Sequence, residues 1–487
     1  MLINGLLAAV MLLASCKKFV DLTPISEATS ATAYSTAQEA EAALIGVYDS
    51  FQQEYYIWDN INFSDMISDN YYAGGDNPEL FAIDKLEIVP TNSRLFANWT
   101  QIYTAIAKAN VVLQKVPEVA DPALDNNNRR EQILGEAAFL RAYHYYQLVN
   151  LWGGVPLITA PVASTAPADI QIPKSTEVQV YDQIVADLQF ALERLPAAYG
   201  SADIDKARAT KGAANALLAK VYAQRPDRDY TKVLEYCDAV INSPAHYELL
   251  GNFADLFDGN HYNNSESILE VQFTGGAEAN WGPQMVLPPS LSGDTWRKFV
   301  TPSKDLMAAF EAEGDEVRKN ASVLFENAPW IDEYWSMTVG GSVPFAYKWK
   351  SANGWASTNR QYLLRLGDIV LLKAEALNEL NRPGDARDEV NNIRRRAHVD
   401  ETGSTDKEEL RNIILNERRL ELAQEGQRWA DLKRSGKAVE IMNALNEIDL
   451  RTNSRVNYNA TQTDLILPMP QQELNRNPRL EQNPGYN

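Results

Sequence analysis

Residues 135–158 read GEAAFLRAYHYYQLVNLWGGVPLI, and this stretch decides the fold. Its first half has a helical period. Ala137, Leu140, Tyr143 (or His144) and Leu148 recur every three to five residues, on or near one face of a 3.6-residue turn. Tyr143, Tyr145 and Tyr146 widen that face, so the helix is expected to be buried on more than one side. Gly153 and Gly154 stop it, and Pro156 forbids its continuation. A helix of this kind needs partners on both flanks. Several later segments share its character, so the chain reads as stacked helical hairpins, an all-α fold with tetratricopeptide-like helix pairs.

Outward from this stretch the same period recurs. Helices are expected over 36–51, where Thr36 and Glu39 form a capping box, and over 96–116, ended by Pro117. Others are expected over 176–195, 212–224, 229–241, 363–380, 385–397, 407–425 and 428–446. The pairs 212–224/229–241 and 363–380/385–397 are the clearest hairpins, although no strict 34-residue period runs through the chain. Residues 54–75 read as irregular and aromatic. From Leu250 to Arg360 the helical period fades, apart from 304–310, and Ser267–Phe273 reads as a short strand. Six of the ten tryptophans fall between Trp281 and Trp355, among Gly, Asn, Ser and Pro. Aromatic residues in loops on a rigid scaffold make recognition surfaces, and an indole face matches the C–H face of a sugar ring. The candidate ligand contacts are therefore Trp58, Tyr71, Tyr72, Trp281, Trp296, Trp330 and Trp335.

Composition limits the function classes. The net charge of −20 argues against nucleic acid and against a peripheral grip on anionic lipid. Two distant cysteines, Cys16 and Cys237, make no disulfide framework. The four histidines are scattered without a metal-ligand spacing, and no GxSxG, P-loop or GxGxxG occurs. No cofactor is implied. Asp255, Asp258 and Asn260 could hold calcium through loop oxygens, although Asx-rich turns produce such groupings by chance. Glu417 and Glu421, at i and i+4, read as helix-stabilising ion pairs and not as an acid–base couple. Arg394, Arg395 and Arg396 read as a solvated face or as partners of buried acids.

The N-terminus carries a targeting signal. Leu2–Ala14 is apolar but too short to span a bilayer, and it ends in Leu13-Ala14-Ser15-Cys16. This resembles a lipobox, which makes 1–15 a signal peptide, Cys16 the lipidated residue and 16–34 a tether. Behind it, the blocks NWTQIYTAIAKANVVL (98–113), GEAAFLRAYHYYQLVNLWGGVPLI, ATKGAANALLAKVYA (209–223) and FEAEGDEVR (310–318) resemble those of the SusD/RagB-like lipoproteins of Bacteroidetes. So do YLLRLGDIVLLKAEALNEL (362–380), ILNERRLELAQEGQRWADLKR (414–434), LPMPQQEL (467–474) and NPGY (483–486). The resemblance implies one helical domain over 35–487, with 251–360 a loop-rich, tryptophan-rich ligand face. It implies a non-catalytic protein, lipid-anchored at the outer membrane and facing the cell exterior. Such a protein captures oligosaccharides, or in some cases peptides, for a TonB-dependent SusC-like transporter. A surface glycoside hydrolase and a peptide-binding tetratricopeptide scaffold are the competing readings. The family's ligand-contacting aromatics lie in variable loops, so they cannot be carried over by motif.

Overall fold

Capping and periodicity set the helix boundaries of the computed structural model, which describes residues 34–486. Cys16, the signal segment and nearly all of the tether lie outside the described residues. Helix α1 spans Ala37–Tyr48, and Thr36 and Glu39 form the expected capping box. Helices α2 (Ser93–Lys115) and α3 (Arg129–Trp152) follow. Helix α3 starts six residues before the quoted stretch, is buried along most of its length, and ends at Gly153 with a φ of 69°. Its widened apolar face is explained by neighbours on several sides, since α3 packs against α1, α2 and α4 (Glu177–Arg194). Helix α5 (Lys211–Gln224), rich in alanine, packs closely on α6 (Tyr230–Ile241). The next pair, α7 (Leu366–Glu379) and α8 (Pro383–Ala397), stacks on α6 through α7. Helices α9 (Lys407–Leu422) and α10 (Arg428–Ser435) close the set. Among the described residues no helix is long and apolar enough to cross a membrane.

Three expectations are corrected, two of them by long-range pairing. Leu363–Arg365 belong to a strand, not to the start of α7, because Gln361–Arg365 pairs antiparallel with Ser267–Val271. The expected helix over 428–446 breaks at Gly436 (φ 72°) and resumes as Ala438–Ala444. Residues 54–75 are ordered. Tyr55–Asp59 and Asn62–Met66 wind as π-helical turns, and Tyr71–Ala73 is a strand paired with Val300–Pro302. A wider π turn is uncommon and persists only where tertiary contacts hold it. Here residues 55–74 are buried apart from the half-buried Asn60, and one apolar core cluster runs from Ala40 in α1 to Leu480 near the C-terminus.

Buried charge ties α7, α8 and α9 to the inserted segment. Arg365 donates to Glu421 (2.6 Å), Glu266 (2.9 Å) and Glu425 (2.6 Å). Glu266 also takes Arg396 at 2.6 Å, and Glu417 takes Arg318 at 2.6 Å and Arg394 at 2.9 Å. Gly367 makes the approach feasible, since a Cβ there would lie 2.3 Å from Arg365 Nη1. Glu417 and Glu421 are thus the anchors of an ion lattice. Their partners come from other elements and not from neighbouring turns of their own helix. Of the arginine run, Arg394 and Arg396 are buried in this lattice, whereas Arg395 is exposed and pairs with Glu401.

A second acidic site makes no ion pair among the described residues. Asp84 and Glu447 are buried, and each keeps one oxygen without a partner among the described residues. Asp84 accepts from the Ala73 amide, and Glu447 from the Tyr458 hydroxyl. Burial, with Asp449 nearby, pushes Asp84 up to about 7, and burial plus Asp84 holds Glu447 well above the carboxylate range. Raised carboxyl pKa values leave stability intact below the unfolded value near 4 and erode it as pH climbs toward 7. Glu447→Gln is therefore expected to stabilise the fold at pH 8 and hardly at all at pH 4. Thermal melts at the two pH values check this, and an equal gain at both would contradict it.

Candidate ligand face

The inserted segment is fastened to the helical body by strands. Taken in chain order these are β1 (Tyr71–Ala73), β2 (Ser267–Val271), β3 (Val300–Pro302), β4 (Val323–Asn327), β5 (Ser342–Ala346) and β6 (Gln361–Arg365). β1 pairs with β3, β2 with β6, and β4 with β5. Between these fixed points the chain throws out loops, and the loops carry the tryptophans.

The most exposed of them is Trp355, at 48%. Its loop is stapled at the base: Asn359 Oδ1 accepts from the amides of Lys350 (2.8 Å) and Ser351 (2.9 Å). Asn280 holds the returning arm, its backbone amide donating to the Ser357 carbonyl at 2.9 Å and its side chain to the Asn359 carbonyl at 2.8 Å. At the tip, Asn353, Gly354 and Trp355 have φ values of 46°, 58° and 75°. A bulky residue in the left-handed region costs on the order of 1–3 kcal/mol and persists only when its surroundings hold it there. The Trp355 amide donates to Gln284 Oε1 at 3.3 Å, and Gln284 Nε2 donates to the Ser292 carbonyl at 2.8 Å and to Asp294. One buried glutamine thus joins three loop segments.

Trp296 belongs to the same group. It is half-buried, with the Lys298 ammonium 3.6 Å from its ring centroid and Phe299 at 5.5 Å. Lys298 is itself buried and donates to the Gln284 carbonyl, and burial lowers it to about 8. A neighbouring group surrounds the loop 328–341 between β4 and β5. Trp335 donates its indole N–H to the Pro302 carbonyl (3.1 Å) and packs edge-on against Phe325. Asp332 holds the turn, accepting from Tyr72 Oη (2.8 Å) and from the amides of Trp335 (3.0 Å) and Tyr334 (3.2 Å). Burial raises its carboxyl above the ordinary value. Phe325, Ile331, Met337 and Val339 are exposed there. Two links bind the groups together: Ser290 donates to Glu326, and Arg297 donates to the Ile331 carbonyl and pairs with Glu333 at 3.0 Å.

Of the residues singled out from sequence, Trp281, Trp296, Trp330 and Trp335 are partly exposed. Trp330 nevertheless packs on the β4–β5 hairpin, and Trp281 packs against the main core. Trp58, Tyr71 and Tyr72 are corrected: each is at most 1% exposed, so none presents a ring to a ligand. The buried π-helical segment and the β1–β3 pairing enclose them. Two of the three act from behind. Trp58 packs edge-on against Phe299, which underlies Trp296, and Tyr72 packs on Tyr334 while fixing Asp332. Trp355, the most exposed tryptophan of the described residues, was not among those singled out, and the turn dipeptide Asn353-Gly354 before it is the signal that marks its loop tip.

The acids around the two aromatic groups all have partners. Asp332 has three donors, Glu333 has Arg297, Glu326 has Ser290, and Asp294 has Gln284. His144 is buried, bonded through Nδ1 to Tyr56 Oη at 2.5 Å, and burial lowers it to about 3, so it packs as a neutral ring. The calcium reading changes its members. Asp255, Asp258 and His261 gather their ligand atoms within 4.8 Å of one another, while the Asn260 amide turns back to the Asp258 carbonyl. Calcium takes oxygen ligands, and the His261 nitrogen suits it poorly.

With Gln284 as the tie between loops, Gln284→Ala is expected to weaken ligand binding roughly tenfold by releasing Trp355 and Trp296, with the helical circular dichroism unchanged. Unaltered affinity would contradict this role.

Comparison with known proteins places this architecture. A family model described as "SusD family" matches residues 327–486, and one described as "Starch-binding associating with outer membrane" matches 18–223. Between them they take in most of the chain. SusD-like protein P38 of Formosa agariphila is 28% identical over 99% of this chain and 98% of its own length. The starch-binding protein SusD of Bacteroides thetaiotaomicron is 24% identical over 85% of this chain and 83% of its own. A solved laminarin-binding SusD-like protein superposes with a TM-score of 0.76 at 28% identity, covering 93% of this chain and all of that one. The chain belongs to the SusD-like family, and its mainly helical fold with tetratricopeptide-like pairs is that family's fold.

Proposed function

We propose that this protein is a cell-surface glycan-capture lipoprotein that binds oligosaccharides without cleaving them and delivers them to a TonB-dependent SusC-like transporter. In this reading residues 1–15 are a signal peptide and Cys16 carries the lipid that anchors the protein in the outer membrane, facing outward. Residues 16–34 are the tether, and 35–487 form the binding body, with 251–360 as its ligand face. The observation that carries the reading is Trp355, an exposed residue held in strained backbone and joined through Gln284 to the loop that carries Trp296. A sugar ring stacks on such a surface, and its rigidity limits the ordering cost of binding. Relatives named for laminarin and starch binding support an oligosaccharide ligand, and the engaged acids support a non-catalytic role.

Calorimetric titration against plant, host and microbial oligosaccharides tests it. A saturable heat with one glycan class, lost in Trp355→Ala and Trp296→Ala, is the expected result. Released sugar would mean an enzyme. One observation favours a second reading, peptide binding on the helices. An open, mainly apolar groove of about 440 Å³ lies between α2 and the C-terminal segment, lined by Trp99, Tyr103, Ile158, Val162, Ile170 and Leu480. Peptide binding abolished by Ile170→Asp and untouched by Trp355→Ala would favour that reading.

A further inference from the structure

We infer that the ligand face selects uncharged oligosaccharides and turns away uronate- and sulfate-bearing chains. The inference rests on the glycan reading and specifies its substrate class. Recognition of an anionic sugar requires a cation free to meet it, preferably an arginine that can present its fork. In the loops that carry the exposed aromatics, Arg297, Lys298, Lys348 and Lys350 are already engaged, and Lys304 at the edge is not. Arg297 pairs with Glu333 at 3.0 Å and also donates to the Ile331 carbonyl. Lys298 is 1% exposed, pinned beneath Trp296. Lys348 is buried against Glu425 at 2.5 Å. Lys350 gives its ammonium to the carbonyls of Ala321 (2.8 Å) and Tyr347 (2.7 Å) and stacks on the Tyr347 ring. Lys304, at the edge of the Trp335 group, is exposed, with its ammonium over Tyr334 at 5.0 Å and Trp335 at 5.6 Å.

The acids point the other way. Asp294 beside Trp296 and Glu333 beside Trp335 keep 27% and 24% of their side chains in solvent, and Glu326 lies on the bridge between the two groups. Behind them stands a chain carrying 65 acidic and 45 basic residues. With the loop cations paired and the chain as a whole carrying a net charge of −20, an incoming polyanion meets repulsion that the exposed Lys304 at the edge of the face offsets only locally. A neutral chain loses nothing to that repulsion and gains the stacking surface.

The test titrates the full chain in detergent with neutral α- and β-linked glucan hexasaccharides, and with oligouronates and sulfated galactan oligosaccharides of equal length. Each titration is run at about 20 and about 500 mM NaCl, where the screening length is roughly 20 and 4 Å. The expected result is binding of a neutral chain with less than about a twofold change between the two salts. Any anionic binding is expected to be at least about tenfold weaker at low salt, with the gap narrowing at high salt. Anionic binding that is strongest at low salt and removed by Lys304→Ala and by Trp355→Ala would overturn the inference and leave glycan capture intact. Binding of neither class would overturn both.

Discussion

Arg365→Met is expected to destabilise the fold by about 3–5 kcal/mol near neutral pH. Arg365 is 1% exposed and bonds Glu266, Glu421 and Glu425 together. Removing it leaves Glu266, Glu421 and Glu425 to Arg396, Lys348 and an Arg318 already shared with Asp315 and Glu417, so at least one negative charge is short of a partner. The pH dependence has a definite sign. Burial raises the Glu421 and Glu425 carboxyls, but the surrounding cations, Arg365 prominent among them, overcome this and hold both below the ordinary range. Depressed carboxyl pKa values contribute stability above the unfolded value near 4.3, and that contribution is lost as pH falls. The deficit of the variant should therefore be greatest at pH 7 and shrink toward pH 3, where protonation relieves the uncompensated charge. Urea unfolding across that range measures it. Adding Glu421→Gln to Arg365→Met should recover part of the loss at pH 7. A deficit that does not vary with pH would mean that Arg365 acts through packing alone.

Trp355→Gly should separate binding from folding. If Trp355 is the stacking platform, its loss removes a central aromatic contact, and affinity for the captured glycan should fall by about 30-fold or more, the scale of an interface hot spot. The melting temperature should stay level or rise slightly, because glycine adopts a φ of 75° without strain. Trp58→Ala makes the contrast: it opens a cavity in the core and should cost about 3–5 kcal/mol. A Trp355→Gly protein that melts early while binding normally would reduce Trp355 to a loop anchor and sink the proposed face.

The three aromatics misplaced by sequence show where local reading stops. Trp58, Tyr71 and Tyr72 lie in a segment of the same composition as the true surface loops, rich in Asn, Asp and Gly. What buries them is the pairing of β1 with β3 across more than two hundred residues and the closure of α2 over the π-helical turns. The acidic helix α9 posed the same difficulty, since its i,i+4 spacing pointed to partners along the helix. Its partners in fact come from β6, α8 and the inserted segment.

The sequence by itself determined the helices, their caps and stops, and the tryptophan-rich insert between helical hairpins. These rest on interactions within a turn or two: a 3.6-residue period, the Thr36–Glu39 box, and the conformational freedom of Gly153. The order of its motifs also determined the family. Only the tertiary structure decided which aromatics face outward, where the cations of the ligand face find their partners, and which acids are neutralised. Burial and charge pairing depend on residues far apart in the chain, so identical side chains such as Trp58 and Trp355 end as core and surface according to what folds over them.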